Sequence, residues 1–147
     1  MKKVIFIISA LALALVLVLS ASTPPTGRQW KKWSNPLFEG WYADPEGIVI
    51  DDQLWIYPTY SKPFKEQLHL DAFSSKDLKK WTKHERIISN VEISWLKEAL
   101  WAPSIVQKDG KYYLFFSCNN IRDDKYGGIG VAVADSPAGP FKDLLGK

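Results

Sequence analysis

The chain is 147 residues long, with 19 Lys and Arg against 16 Asp and Glu and a formal charge of +3. A chain this near neutral, without clustered Lys or Arg, gives no electrostatic reason to expect nucleic acid as a partner. The one cysteine, Cys118, excludes an internal disulfide, so stability must come from a packed core. Seven Trp, six Tyr and seven Phe suit β-rich packing and also flat surfaces that stack on sugar rings, with core packing accounting for most of them.

At the N-terminus Lys2 and Lys3 precede an apolar run from Val4 to Leu19, followed by the small residues SAS. That order is the signature of a secretory signal peptide. The run is 16 residues long, short of the roughly 20 that a membrane-spanning helix needs. The sequence therefore predicts a signal peptide over 1–22, cleaved after Ser20 or Ser22, and a secreted or periplasmic protein with no stable membrane insertion afterwards. No cysteine near the cleavage region offers a lipid anchor. Removing the first 22 residues, with two lysines and no acid, leaves 125 residues carrying 17 basic and 16 acidic side chains, a net +1. Residues 23–34, opening on the Pro/Gly-rich TPPTG, read as a linker.

From Glu46 onward the signals are short apolar runs separated by turn pairs. EGIVID, QLWIYPTYS, LHLDAFSS and ERIIS read as four strands, with KDLKKWTKH as a turn that carries a tryptophan back onto the sheet. After the connection NVEISWLKEAL the order restarts: APSIVQK, the turn Asp109-Gly110, KYYLFFSCNN, a polar loop with Arg122, Asp123 and Asp124, GGIGVAVADS, and PAGPFKDL.

The two halves are an internal repeat. Ala72 falls on Ala132, Ser74 on Ala134 and Trp81 on Phe141, each 60 residues apart; Leu54-Trp55 fall on Tyr112-Tyr113 at 58, and Asp44-Pro45 approach Pro103-Ser104 at about the same spacing. A repeated four-stranded unit predicts an all-β fold made of β-propeller blades, which close in rings of about 4 to 8. Two blades cannot close a ring, so residues 35–147 are expected to be the N-terminal part of a longer domain. The purified 147 residues alone are then expected to be aggregated or loosely folded, and inactive. A complete small β-sandwich is the competing architecture.

Asp44, in WYADPEG, is the sharpest candidate for chemistry. Pro45 disfavours the right-handed α region for the residue before it, which biases Asp44 toward an extended backbone. In a propeller the first strand of each blade lines the central channel, so an acid at its start meets a ligand near the axis. The alternative is a turn acid that bonds neighbouring backbone N–H groups.

The segments NPLFEGWYADPEGIVI, WIYPTYS, LDAFSSKDLKKWTKH, LWAPSIVQKDGKYYLFFS and GGIGVAVADSPAGPF resemble, in order and spacing, the first two blades of glycoside hydrolase family 43. The resemblance implies a five-bladed β-propeller, of which this chain supplies about two blades. It implies an inverting glycosidase acting on plant polysaccharides or oligosaccharides that contain arabinose, xylose or galactose. It also implies that Asp44 is the general base, through the family's x-Asp-Pro motif. The second aspartate and the catalytic glutamate of that family come from later blades, beyond Lys147. In inverting enzymes the two carboxyl groups stand roughly 6.5 to 9.5 Å apart to admit the attacking water.

For substrate contacts the resemblance points to Trp101 in WAPS, where the family commonly walls its sugar pocket, against plain packing between blades. The residue after Pro103 is often acidic in the family. Here it is Ser104, able to hydrogen-bond a sugar hydroxyl but not to act as a carboxylate. Asn120, in the pair Asn119-Asn120 at a strand end, could reach the pocket or simply form the turn, and Trp41 has the same ambiguity as Trp101.

The other acids read as solvated turns or loops: Glu46, pointing away from Asp44, Asp51-Asp52, Asp109 and Asp123-Asp124. His69 lies in a strand and His84 in a charged turn, with no second ligand at metal spacing, so no metal site and no cofactor is predicted. A channel cation such as calcium, held by some members of the family, has no ligands identifiable in these residues. GGIG opens a strand rather than a helix and is no phosphate loop. The rival reading from another class is a non-catalytic carbohydrate-binding propeller, which keeps the aromatic pocket without the acids.

Overall fold

In the computed structural model the described residues are 35–119 and 127–146, all within the second of two compact units, Asn35–Lys147. The predicted signal peptide, the linker, Asn120 and Asp123-Asp124 lie outside the described residues. Among the described residues eight strands form two four-stranded antiparallel sheets, with each strand beside its sequence neighbour. The first sheet holds β1 (Tyr42–Ile50), β2 (Gln53–Tyr60), β3 (His69–Ser75) and β4 (Thr82–Ser89). The second holds β5 (Trp101–Lys108), β6 (Lys111–Cys118), β7 (Gly128–Ala134) and β8 (Lys142–Asp143). A 3-10 turn, Phe64–Glu66, joins β2 to β3.

The hairpins follow from their turn residues. Asp51 and Asp52 sit at φ 48° and 59°, and Asp109 and Gly110 at 50° and 74°. Two consecutive residues with positive φ make the tight turn whose twist matches that of its flanking strands, and Asp and Gly tolerate it best. Two boundaries differ from expectation. β1 begins at Tyr42, four residues before EGIVID, because pairing with β2 resumes on the far side of a bulge. β4 begins at Thr82, so His84 is a strand residue rather than part of a turn. There Nε2 of His84 lies 2.9 Å from Ser74 Oγ, and its ring stacks on Trp55 with centroids 4.7 Å apart.

The ladders sharpen the repeat. Glu46 pairs with Tyr57 and Ser104 with Phe115, so the first hairpin recurs at a spacing of 58. Asp44 thus corresponds to Ala102, one residue earlier than the Pro103 suggested by sequence. Trp55 pairs with Ser74 and Tyr113 with Val133, so β3 recurs in β7 at 59 rather than 60. A one-residue difference matters, because it moves every side chain to the other face.

With that register, the two sheets bury opposite faces. The first contributes Ile50, Trp55, Tyr57, Leu70 and Ala72 to the core, and the second Ile105, Tyr112, Leu114, Phe116 and Ala132, all in one continuous apolar cluster. The counterparts of Trp55 and Tyr57 at a spacing of 58 are Tyr113 and Phe115, on the outer side, where Phe115 is 40% exposed. Stacked propeller blades require this inversion, since each repeat offers one face to the blade before it and the other to the blade after. A sandwich of two sheets would instead bury one face of each and leave the other polar. Here the outer face of the second sheet carries Val106, Tyr113 and Phe115, which line a shallow cavity with Lys108. The outer face of the first is overlaid by Phe38, which stacks on Phe73 at 3.8 Å and meets Trp81 edge-on.

Polar ties cross the seam as well. Tyr57 donates its hydroxyl to Pro137 O at 2.8 Å, and Phe141 N donates to Ile87 O at 2.8 Å. Glu46 Oε1 accepts the Ile105 N–H at 3.0 Å. Glu46 is therefore a partly buried link between the sheets, not the solvated turn acid expected from its neighbours in sequence.

Candidate active site

Asp44 lies at the start of β1, where the ladder skips from Ala43 to Glu46. Its φ is 46°, in the left-handed region, and not the extended backbone that Pro45 alone suggests. Pro45 closes the right-handed α region to the residue before it. A bulge then uses the remaining small left-handed basin, which Asp tolerates better than most residues. The consequence is positional: the bulge re-aims the side chain out of the strand, and Asp44 is exposed.

The carboxylate is held from the next strand. Thr59 Oγ1 donates to Asp44 Oδ2 at 3.1 Å, and the same oxygen accepts the Ala102 N–H at 2.8 Å. Thr59 is buried, at 2% exposure, so its hydroxyl is fixed while the carboxylate it supports stays accessible. An ionised carboxylate has about four lone-pair sites. Thr59 engages one, which leaves Asp44 able to accept a proton from a water or a hydroxyl.

Ala102, the counterpart of Asp44, repeats the geometry with φ 47° in a bulge between Trp101 and Ser104. Trp101 is partly buried. Its indole N–H donates to Gln67 Oε1, and Phe64 meets the ring edge-on with centroids 5.3 Å apart. Trp101 also lines a cavity of about 340 Å³ with Ser117, Cys118, Asn119, Gly128 and Ile129. Packing thus accounts for part of the side chain, and another part faces this cavity. Trp41, next to the start of β1, is 82% exposed, with its carbonyl accepting Ser61 N–H at 2.9 Å. Packing does not account for it.

Ser104 is not gathered with Asp44. It pairs with Phe115 on the outer face of the second sheet. Asn119 has a structural place: its Oδ1 accepts Lys97 N at 2.8 Å and its Nδ2 donates to Trp95 O at 3.1 Å. It pins the connection between the sheets.

Both histidines are built into the first sheet. His69 packs against the Tyr60 ring and lies 3.8 Å from Asp71 Oδ1, while Asp71 Oδ2 pairs with Lys83 at 3.1 Å. Burial holds both imidazoles below the ordinary histidine range, for His69 against the opposing pull of Asp71. Among the described residues no group of three or more His, Cys, Asp or Glu side chains could hold a metal ion.

Sequence reasoning missed Thr59, yet a signal was present. A two-residue turn at Asp51-Asp52 pairs Ile50 with Gln53, and counting back along both strands brings Asp44 opposite Thr59. The bulge shifts the pairing, so that Thr59 faces Ala43, but the hydroxyl still reaches the carboxylate.

Stacked four-stranded antiparallel sheets, each strand beside its sequence neighbour, are the blades of a β-propeller. The chain belongs to glycosyl hydrolases family 43, whose profile matches residues 33–147. It is 42% identical over 130 residues to a β-D-galactofuranosidase of Aspergillus niger, covering 79% of this chain and 36% of that protein. To a xylosidase/arabinosidase of Bacteroides ovatus it is 35% identical over 111 residues, covering 67% and 34%. A β-xylosidase/α-arabinofuranosidase of the same family from a compost microbial metagenome, solved with xylotriose, superposes with a TM-score of 0.67 at 31% identity, over 79% of this chain and 38% of that one. The chain spans about a third of the length of the curated relatives it matches. Its two sheets are about two blades of the family's five-bladed β-propeller.

Proposed function

We propose that this chain supplies the first two blades of an exported, inverting glycosidase, with Asp44 as its general base. The substrates are plant polysaccharides or oligosaccharides containing arabinose, xylose or galactose. The observation that carries this reading is the Asp44 carboxylate, accessible at the start of β1 and held from β2 by a buried hydroxyl. The names of the relatives, galactofuranosidase and xylosidase/arabinosidase, support the sugar class. In the reaction Asp44 takes a proton from water as the water oxygen attacks the anomeric carbon. An acid on the opposite face, from another blade, gives its proton to the departing oxygen. Export rests on the order of Lys2, Lys3, the apolar run and SAS.

In the complete enzyme Asp44→Asn is expected to lower kcat on aryl xyloside or arabinofuranoside substrates by at least about 10²-fold, with thermal unfolding unchanged. The first-formed sugar, followed by NMR, should have the opposite anomeric configuration to the substrate. Near-normal turnover by the variant would remove Asp44 from the mechanism. Absence of any hydrolysis by the unaltered protein, with sugar binding retained, would favour a carbohydrate-binding propeller.

A further inference from the structure

We propose that Thr59 is the positioning residue of the general base, and that the backbone of the second blade sets the direction of its hydrogen bond. The inference rests on the reading of Asp44 as base. A threonine hydroxyl has one proton and two acceptor lone pairs. The Ala102 N–H can only donate, so its bond of 2.8 Å occupies a lone pair of Thr59 Oγ1. The single hydroxyl proton is then directed to Asp44 Oδ2, 3.1 Å away. Thr59 thus meets Asp44 as a donor, which orients the carboxylate and leaves its remaining lone pairs for the attacking water.

Three features make this arrangement stiff. Thr59 is 2% exposed, so water does not compete for its hydroxyl. Its side chain is β-branched, which narrows its χ1 choice. The amide that locks it belongs to Ala102, whose φ of 47° in the bulge of β5 aims the N–H across the seam. The chain Ala102 to Thr59 to Asp44 spans both blades, so the geometry of the base depends on how the blades are seated.

The test compares Thr59→Val, of nearly equal shape without the hydroxyl, with Thr59→Ser, which keeps it, in the complete enzyme. For Thr59→Val kcat is expected to fall about tenfold with KM within about twofold, as for a group that acts on placement rather than substrate binding. Thr59→Ser is expected to keep kcat within about twofold of the unaltered enzyme. Combined with Asp44→Asn, Thr59→Val should add no further loss, since a residue acting through Asp44 has nothing left to position. Should the Val variant not fold, Thr59→Cys, with its weaker S–H donor, takes its place and a several-fold loss is expected. Unchanged kcat in folded Thr59→Val or Thr59→Cys, with Asp44→Asn inactive, overturns this inference alone. A further loss on the Asp44→Asn background also overturns it. Retained activity in Asp44→Asn overturns the catalytic reading and this inference together.

Discussion

The bulges at Asp44 and Ala102 are the same backbone solution used twice for different ends. Each is the residue before a proline, each has φ near 46°, and each breaks the ladder at the start of the innermost strand of its sheet. In the first blade the bulge presents a carboxylate. In the second it presents a backbone N–H that, through Thr59, steadies that carboxylate. The repeat therefore conserves a geometry and not a chemistry. On the proposed reading of Asp44, a fold of repeated blades can single out one reactive group because the neighbouring blade keeps the same bend without the acid.

The same contrast runs through Tyr57 and Phe115, which correspond at a spacing of 58. Tyr57 is fully buried in the seam between the sheets, and Phe115 is 40% exposed on the outer face. If that face receives the next blade, the two rings do equal work in the complete enzyme. Tyr57→Ala and Phe115→Ala are then each expected to destabilise it by about 3–5 kcal/mol, read from denaturant unfolding. A cost below about 1 kcal/mol for Phe115→Ala, in the range of surface substitutions, would break the equivalence and with it the reading of the outer face as a second seam.

A smaller effect separates Glu46 from Ser104, which stand two residues after each bulge. Glu46 accepts the Ile105 N–H across the seam, whereas Ser104 lies on the outer face. Glu46→Ala is expected to cost about 1.5–3 kcal/mol, the range for a hydrogen bond to a charged group. Glu46→Gln, which keeps an acceptor oxygen, should cost less, and the same unfolding series measures both. If Glu46→Ala proves neutral, the Glu46 hydrogen bond contributes nothing to holding the seam.

Strands, hairpin turns and the repeat were legible because they depend on local pattern: alternating apolar residues, Asp51-Asp52, Asp109-Gly110. Asp44 stood out as a candidate because it precedes a proline at the start of an apolar strand and because its neighbours resemble a known family. What the sequence did not disclose was register by one residue. The Ala72 and Ala132 match at 60 aligned similar residues that face the same seam from opposite blades, where the ladder requires 59. Chemical likeness favoured the wrong pairing because small buried residues suit both sides of a seam. Glu46 was misread for a different reason. Its partner lies 59 residues away, and no local signal carries such a contact.

Acid should separate the blades most subtly. The only two histidines of the chain, His69 and His84, both lie in the first sheet. Burial lowers the pKa of each. His69 is drawn upward by Asp71 and Glu85 but downward by Arg86 and Lys83, and His84 sits between Trp55 and Ser74. With folded pKa values below the unfolded value of about 6.5, the unfolded chain binds more protons as pH falls through and below that value. Stability is therefore retained above about pH 6.5 and declines toward the lower folded pKa values. The exposed pair Lys111–Asp135 of the second sheet lies outside that window, since its aspartate is held below the usual carboxylate range. Thermal unfolding of the complete enzyme between about pH 7.5 and pH 5 should show this decline, the interval in which histidine titrates. Replacing both histidines by glutamine should flatten it, while Lys111→Ala should not. An unchanged decline in the double variant would assign it to groups other than these two histidines.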